Sequence, residues 1–260
     1  MTRLSICDIQ IPQLLAAEKD FLLVYKPPRM HSAPQAHSSG GETILEWCVK
    51  QFPEVALLPG RKAGEGGLLH RLDYETHGLM LIARSMTGME ALLEQQREGR
   101  ILKEYSVLTV ENKIALPGFP KEKPCFVFGN SPLPDCQDGM LQKIESAFKP
   151  YGPGRKAVRP VPPGGNGKLY STEILESRPV LDAGIPNYFS LKLRICKGFR
   201  HQIRCHLAWM GMPILNDGLY GGLSFGNGLL ALRATSIAFN DPSSGEERSY
   251  SIPDLSAAFT

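Results

Sequence analysis

Long apolar runs are missing from this chain. No stretch approaches the ~20 residues that a helix needs to span a bilayer, so nothing in it reads as a helical membrane protein. A dominant charge is missing too. The 29 Lys and Arg against 26 Asp and Glu leave a formal net charge of +3. That balance permits nucleic acid as a partner without demanding it. The cysteines, Cys7, Cys48, Cys125, Cys136, Cys196 and Cys205, are scattered. None forms a CxxC pair, and their spacing fits neither a zinc knuckle nor a secreted disulfide framework. They read as reduced thiols of a cytosolic protein. The opening "MTRLSICDIQIPQLLAAEKD" meets charges too early for a signal peptide. "GRKAGEGG" lacks the spacing and the GK[ST] ending of a phosphate loop. No repeat or heptad is visible.

What is present is an ordinary globular composition, with 42% hydrophobic and 21% charged residues over 260 positions. This length allows one large or two small domains with self-sufficient cores. "FLLVYKPP" (Phe21 to Pro28) reads as a buried strand stopped by two prolines. "RMHSAPQAHSSGGE" reads as loop. Thr43 is placed to cap a helix through "ILEWCVKQF", and Ser85 to cap one through "MTGMEALLEQQRE" that Gly99 stops. "GLMLIAR" and "KEYSVLTV" (Lys103 to Val110) read as strands, with Tyr105, Val107 and Thr109 on one side of the latter. "LYSTEILES" and "NYFSLKLRIC" follow as a hairpin or meander. "RHQIRCHLAWMG" is a helix with Ile203, Leu207 and Met210 on one face, ended by Gly211, and "LLALRATSIAF" is a last strand. Strands in runs with few helices between them point to an α+β fold with mostly antiparallel pairing.

From about residue 115 to 168 the chain changes character. It becomes dense in Pro, Gly and Lys and reads as an irregular insertion with at most a short β-ribbon. Its Lys143, Lys149, Arg155, Lys156, Arg159 and Lys168 could lie along a phosphate backbone or simply be solvated.

The stretch "HRLDYETHGLMLIAR" runs from His70 to Arg84 and sets Asp73 at the edge of an apolar run. A carboxylate there is costly unless something pairs with it. Taken singly, Asp73 reads as a surface pair with an arginine, Tyr105 as sheet or core, and Arg204 as a stem covering the core with its head in water. Taken together they have a chemical logic. An arginine keeps a half-buried carboxylate ionised, an ionised carboxylate can be a nucleophile, and an aromatic ring supports a planar base.

These residues match a known pattern. "HRLDYETHGLMLIAR" resembles the HRLD-x-x-T-S-G-L signature of the RluA-type pseudouridine synthases. "VYKPPRMHSAP" resembles that family's NKPxGxxxxP segment, and "KEYSVLTV" its KxYxAxV strand. "GFRHQIRCHLAWMGMPILNDGLYG" is similar to its GRTHQIRxHLxxxGxPIxGDxxYG block, and "LLALRATSIAF" to its closing LxLHAxxLxF strand. The matches run in family order from about Phe21 to Phe239, the central insertion apart.

The resemblance implies a pseudouridine synthase-like α+β fold: a central mixed, mainly antiparallel sheet with flanking helices and an active-site cleft. It implies one catalytic domain over residues 1–260, without an S4-like RNA-binding domain. A uridine in folded ribosomal or transfer RNA is flipped out. Asp73 acts as nucleophile, uracil detaches, turns and rejoins the ribose through carbon, and no cofactor or metal takes part. Tyr105 stacks on the uracil, Arg204 pairs with Asp73, Arg71 fills the gap left by the base, and Leu232 lines the pocket floor. Lys103 and Arg200 are read as further RNA contacts. The expected protein is a cytoplasmic monomer with RNA as partner and no membrane. With no separate RNA-binding domain, the basic insertion is the candidate for selecting the RNA.

The chain departs from the family pattern at His77 for Ser, Tyr25 for Asn before Lys26, Phe199 for Arg, Arg200 for Thr, and Asn216 for Gly before Asp217. None removes Asp73, Tyr105 or Arg204. Other chemistries fit less well. His201 and His206 are five apart, not the i, i+4 pair of a zinc enzyme. Asp73 and Glu75 could serve a glycosidase, but the HQIR block and the KEY strand have no place there. A non-catalytic RNA-binding or RNA-remodelling protein on the same fold is the remaining alternative.

Overall fold

The structure, a computed structural model, describes residues 2–5, 8–34, 41–60, 62, 64–111, 116–119, 142–164, 168–181 and 187–255. The chain runs through β1 (Thr2–Arg3), β2 (Gln13–Ala17), β3 (Phe21–Lys26), α1 (Ile44–Gln51), β4 (His77–Ala83) and α2 (Met86–Glu98). It continues through β5 (Leu102–Val110), β6 (Gln142–Tyr151), β7 (Ala157–Val161), β8 (Tyr170–Pro179) and β9 (Tyr188–Ile195). The last elements are α3 (Gln202–Met210), β10 (Leu232–Asn240) and β11 (Glu247–Ser251). Two compact units result: Met1–Lys103 with Arg233–Asp254, and Glu104–Leu232 with Leu255–Thr260.

In the first unit the strand order is β2-β3-β4-β10, with β11 on β10 and β1 on β11. The β4–β10 and β1–β11 pairs are parallel, and β2–β3, β3–β4 and β10–β11 are antiparallel. The expected mixed, mainly antiparallel α+β sheet is therefore present. Every residue of β3 and β4 is buried, which is why both read as unbroken apolar runs rather than as alternations. The helices start where the caps predicted. Thr43 accepts from the Glu46 amide at 3.2 Å while the Glu46 carboxylate accepts from the Thr43 amide at 2.8 Å, a full capping box. Ser85 accepts from Gly88, and Gly99 closes α2 at φ 78°.

In the second unit the order is β5-β9-β8-β6-β7. β9 alternates in burial with period two, and Lys192 and Arg194 on its other face both reach Glu104 of β5, at 3.2 and 2.6 Å. Helix α3 is buried from Gln202 to Trp209. Its apolar stripe thus understated its burial, because Gln202, Arg204 and His206 go inside with partners of their own. Of the stretch 115–168 read as irregular, residues 115, 120–141 and 165–167 lie outside the described residues. The rest includes β6 and β7, paired from Ala147↔Val161 to Tyr151↔Ala157. β6 is also an integral strand, paired with β8 from Gln142↔Ile174 to Ser146↔Tyr170. Cys7, Cys125 and Cys136 lie outside the described residues, while Cys48, Cys196 and Cys205 are free thiols. Among the described residues no helix is long and apolar enough to cross a membrane.

Gly78 is a point of close backbone approach in the first unit. It sits at φ 124° opposite Ala234, and a Cβ there would lie 2.2 Å from the Ala234 carbonyl oxygen. Neither backbone can yield without breaking the parallel pair. Gly78→Ala is expected to destabilise the fold by about 1–3 kcal/mol from strain alone. A lower denaturation midpoint with an unchanged slope is the expected reading, and an unchanged midpoint would contradict it.

Candidate active site

Asp73 lies in the first unit, on an irregular segment between the bridge residue Leu68 and β4. Three short-range contacts hold that segment. The Ser32 hydroxyl accepts from the Leu72 amide at 3.0 Å and donates to the Leu72 carbonyl at 2.9 Å. The Thr76 amide donates to the Asp73 carbonyl at 3.1 Å, closing a turn from 73 to 76. The His70 Nε2 accepts from the Leu81 amide at 3.2 Å, tying the segment's start to β4. Asp73 itself is half-buried, Glu75 pairs weakly with Arg29 at 3.7 Å, and Arg71 is exposed and pairs with Glu65 at 3.5 Å.

The fourth contact is a buried charge. Lys26, at the end of β3, is 0% exposed, and its ammonium donates to the carbonyls of Pro27 (2.8 Å), Met30 (2.7 Å) and Tyr74 (3.3 Å). An ammonium has three donors, and here three carbonyls receive them. Burial pushes the Lys26 ammonium down to about 7, and the negative charges of Asp73 and Glu75 oppose the fall. The buried cation thus grips the residue next to Asp73 and feels its charge.

Beyond the turn, His77 opens β4 directly opposite Arg233 of β10, and the Arg233 Nε donates to His77 Nε2 at 3.0 Å. Arg233 also donates to the Pro253 carbonyl at 3.2 Å. Burial, then the charges of Arg233 and Lys26, hold the His77 imidazole well below its usual pKa, so it is neutral and can accept. The family signature has Ser at 77, and the closing-strand pattern has His at 233. The two departures therefore meet in one contact.

The second unit holds Tyr105, Arg200, Arg204 and Leu232. Tyr105 on β5 and Leu232 at the start of β10 are buried. The Arg204 head does not reach water. Its Nε and Nη2 each donate to the Asp217 carboxylate at 2.7 Å, a bidentate fork, with the guanidinium 5.3 Å from the Tyr220 ring. Three further N–H groups of the guanidinium lie outside that fork. The amides of Leu219 and Tyr220 donate to the same carboxylate, at 3.2 and 3.3 Å. The histidines have polar partners of their own. His206 lies between the Ser146 and Thr172 hydroxyls, at 2.9 Å from each, and His201 Nδ1 is 3.2 Å from the Tyr220 hydroxyl. Burial pushes His206 down to about 3, so it is neutral.

Of the residues singled out by sequence, the first unit brings together Arg71 and Asp73. Lys103, read as an RNA contact, is 4% exposed, so its ammonium is not displayed on the surface. Arg200 is exposed, and its Nη2 donates to the carbonyls of Arg155 (3.1 Å) and Ala157 (3.4 Å). Sequence reasoning missed Lys26, Ser32, Arg233 and Asp217. Lys26 and Asp217 stood in the motifs, as the Lys of KP and the Asp before xxYG, but nothing in their spacing assigned them partners.

Lys26→Met should leave three carbonyls without a donor and destabilise the fold by about 3 kcal/mol. The pH dependence has a defined sign. Below about 7 Lys26 is protonated in both states. Between about 7 and 10.5 the unfolded chain alone keeps the proton, so stability gains with rising pH in that window. Denaturant titrations from pH 6 to pH 10 on both proteins check this. The advantage of the wild type over Lys26→Met should grow with pH, and a constant or shrinking advantage would contradict it.

Comparison with known proteins identifies the family. The profile of the RNA pseudouridylate synthase family matches residues 20–209. The chain is 26% identical over 207 residues to the ribosomal large subunit pseudouridine synthase D of Haemophilus ducreyi, covering 79% of this chain and 51% of that protein. It is 23% identical over 268 residues to the protein of the same name from Vibrio parahaemolyticus, covering 96% and 70%. It spans about half the length of the first of these relatives. Among solved structures it is similar in fold to human RNA pseudouridylate synthase domain containing 1, with a TM-score of 0.62 and 20% identity over 95% of this chain and 85% of that one. Human RNA pseudouridylate synthase domain containing 4 follows with a TM-score of 0.57 and 19% identity over 95% and 89%. With a profile match that takes in the Asp73 turn, Lys26 and Arg204, the chain belongs to the RNA pseudouridylate synthase family.

Proposed function

We propose that this chain isomerises uridine to pseudouridine in RNA, with Asp73 as the nucleophile. The observation that carries the reading is the Asp73 turn. Ser32 fixes the residue before the aspartate and Lys26 the residue after it, while the Asp73 carbonyl closes the turn itself. A nucleophile has to be held close to its productive geometry, and a turn fixed at consecutive residues does that better than a free loop. In the proposed reaction Asp73 helps detach uracil from the ribose. The base turns and rejoins through a ring carbon, that carbon gives up its proton and the freed ring nitrogen takes one up, so the composition is unchanged.

By the family resemblance Tyr105 is the ring that stacks on the flipped base and Leu232 the residue that lines the floor of its pocket. Stacking on an aromatic ring contributes about 1–3 kcal/mol, against an extraction cost of a few kcal/mol. Among the described residues Arg71 pairs with Glu65 alone, at 3.5 Å and from an exposed guanidinium, so it is readily released to fill the gap in the RNA. Arg204, carried over from the same resemblance, is the proposed partner of the Asp73 carboxylate; in the second unit its guanidinium is set by Asp217. The names of the relatives support large-subunit ribosomal RNA as the substrate class.

The test uses the purified chain and an unmodified transcript of large-subunit ribosomal RNA. Asp73→Ala is expected to lower pseudouridine formation on the order of 1,000-fold or more, with affinity for the transcript within about twofold of wild type, since backbone contacts dominate affinity. Arg204→Lys, which loses the fork to Asp217, is expected to lower turnover with the same affinity. Undiminished activity of Asp73→Ala would contradict the reading. Binding without pseudouridine formation by the wild type would favour the RNA-remodelling alternative.

A further inference from the structure

The ribbon β6–β7 carries charge of one sign. Between Glu145 and Glu173 the sequence has no Asp or Glu, but it has Lys149, Arg155, Lys156, Arg159 and Lys168. The structure arranges these cations unevenly. Lys149 and Arg159 stand directly opposite each other across the two strands, which puts them on one face. Like charges so placed repel, and the arrangement is unfavourable unless an anion bridges them. The Arg159 guanidinium lies 5.7 Å from the centre of the Tyr151 ring on that same face, which orients it. Arg155 and Lys156 are exposed where the two strands join. Arg200 donates to the Arg155 and Ala157 carbonyls and so adds a fifth charge beside the join.

Most other described cations of the second unit are matched. Lys143 pairs with Glu145 at 2.7 Å, Arg178 with Glu176 at 2.7 Å, Lys192 and Arg194 with Glu104, and Arg204 with Asp217. Among the described residues Lys149, Arg155, Lys156, Arg159 and Arg200 pair with no carboxylate. Of the large hydrophobic residues exposed among the described ones, Leu181, Leu219 and Leu223 lie outside the ribbon and Leu169 stands beside β6, a single side chain rather than the apolar face that a membrane-binding surface needs.

We propose that the Lys149/Arg159 face of the ribbon, with Arg155, Lys156 and Arg200 at its joined end, binds RNA backbone phosphates. The proposal rests on the RNA reading above and deepens it. It replaces the broad expectation that the whole segment from Lys143 to Lys168 selects RNA. Lys143 is matched by Glu145, and deleting the segment would remove Ile144, Ser146 and Val158 from the interior, so a deletion would test folding rather than recognition. The patch grips phosphates and therefore adds affinity without reading sequence.

The experiment compares the intact chain with K149Q/R159Q and R159K, and the probe is the unmodified large-subunit ribosomal RNA transcript. Affinity is measured between 50 and 200 mM salt. The slope of log affinity against log salt should be shallower in K149Q/R159Q by about 2, one for each phosphate no longer neutralised. An unrelated RNA of the same length should lose affinity to the same extent, and R159K, which keeps the charge, should keep the slope. The thermal melt of each variant, followed by circular dichroism, should match the wild type. An unchanged slope in K149Q/R159Q overturns the proposal and leaves the patch to an acidic protein partner. A loss confined to one RNA sequence also overturns it. If the wild type forms no pseudouridine, the functional reading fails, while the salt slopes still decide whether the patch binds phosphate.

Discussion

A lysine with no exposure to water organises the first unit. Lys26 ends a strand buried on both faces, and the cost of taking its charge out of water is several kcal/mol unless hydrogen bonds compensate. Three carbonyls supply that compensation, from Pro27 and Met30 on one side and Tyr74 on the other. The ammonium therefore joins two segments about 48 residues apart in sequence. The second of them carries Asp73. The paired prolines after Lys26 turn the chain sharply, so that the Pro27 and Met30 carbonyls come back to the amine. The turn around Asp73 depends on the amine at the end of β3, whose charged form burial disfavours and the carboxylates of Asp73 and Glu75 favour.

The same solution recurs in both units. Arg233 is buried against a histidine that stays neutral, because burial first, and then the positive charges of Arg233 and Lys26, disfavour its protonated form. Arg204 is buried against Asp217, and Asp217 is satisfied further by two backbone amides. His206 is buried against two hydroxyls. Each of these buried side chains is bonded to a partner elsewhere in its unit, which fixes the segment as well as the group. On the ribbon of β6 and β7 the opposite holds, with cations left on the surface facing no carboxylate among the described residues. Inside the protein charge is matched, and on that face it is offered.

The elements that carry their own signals were legible in the sequence. "FLLVYKPP" and "GLMLIAR" read as strands because each is built on an unbroken apolar run, and α1 and α2 read as helices because Thr43, Ser85 and Gly99 supply caps whose chemistry is local. β2 and β11 carried no such signal. "QLLAA" lacks an alternation, and "ERSYS" is polar because one side of it faces water. β6 does alternate, with Ile144, Ser146 and Phe148 on one face, but Lys, Glu and Pro between them hid the pattern in a segment that composition marked as loop. The site divided in the same way. Asp73, Tyr105 and Arg204 stood out through motif resemblance. Lys26 was passed over because a lysine is expected at the surface. Asp217 was passed over because no periodicity joins it to a helix residue 13 positions earlier.

The most direct test of the account is pseudouridine mapping of total RNA from cells carrying the intact gene and from cells whose only copy encodes Asp73→Ala. The account predicts that one or a few uridines, in ribosomal RNA, lose their modification while the variant protein accumulates to the normal level. A full set of pseudouridines in cells that make the Asp73→Ala protein at that level would contradict it.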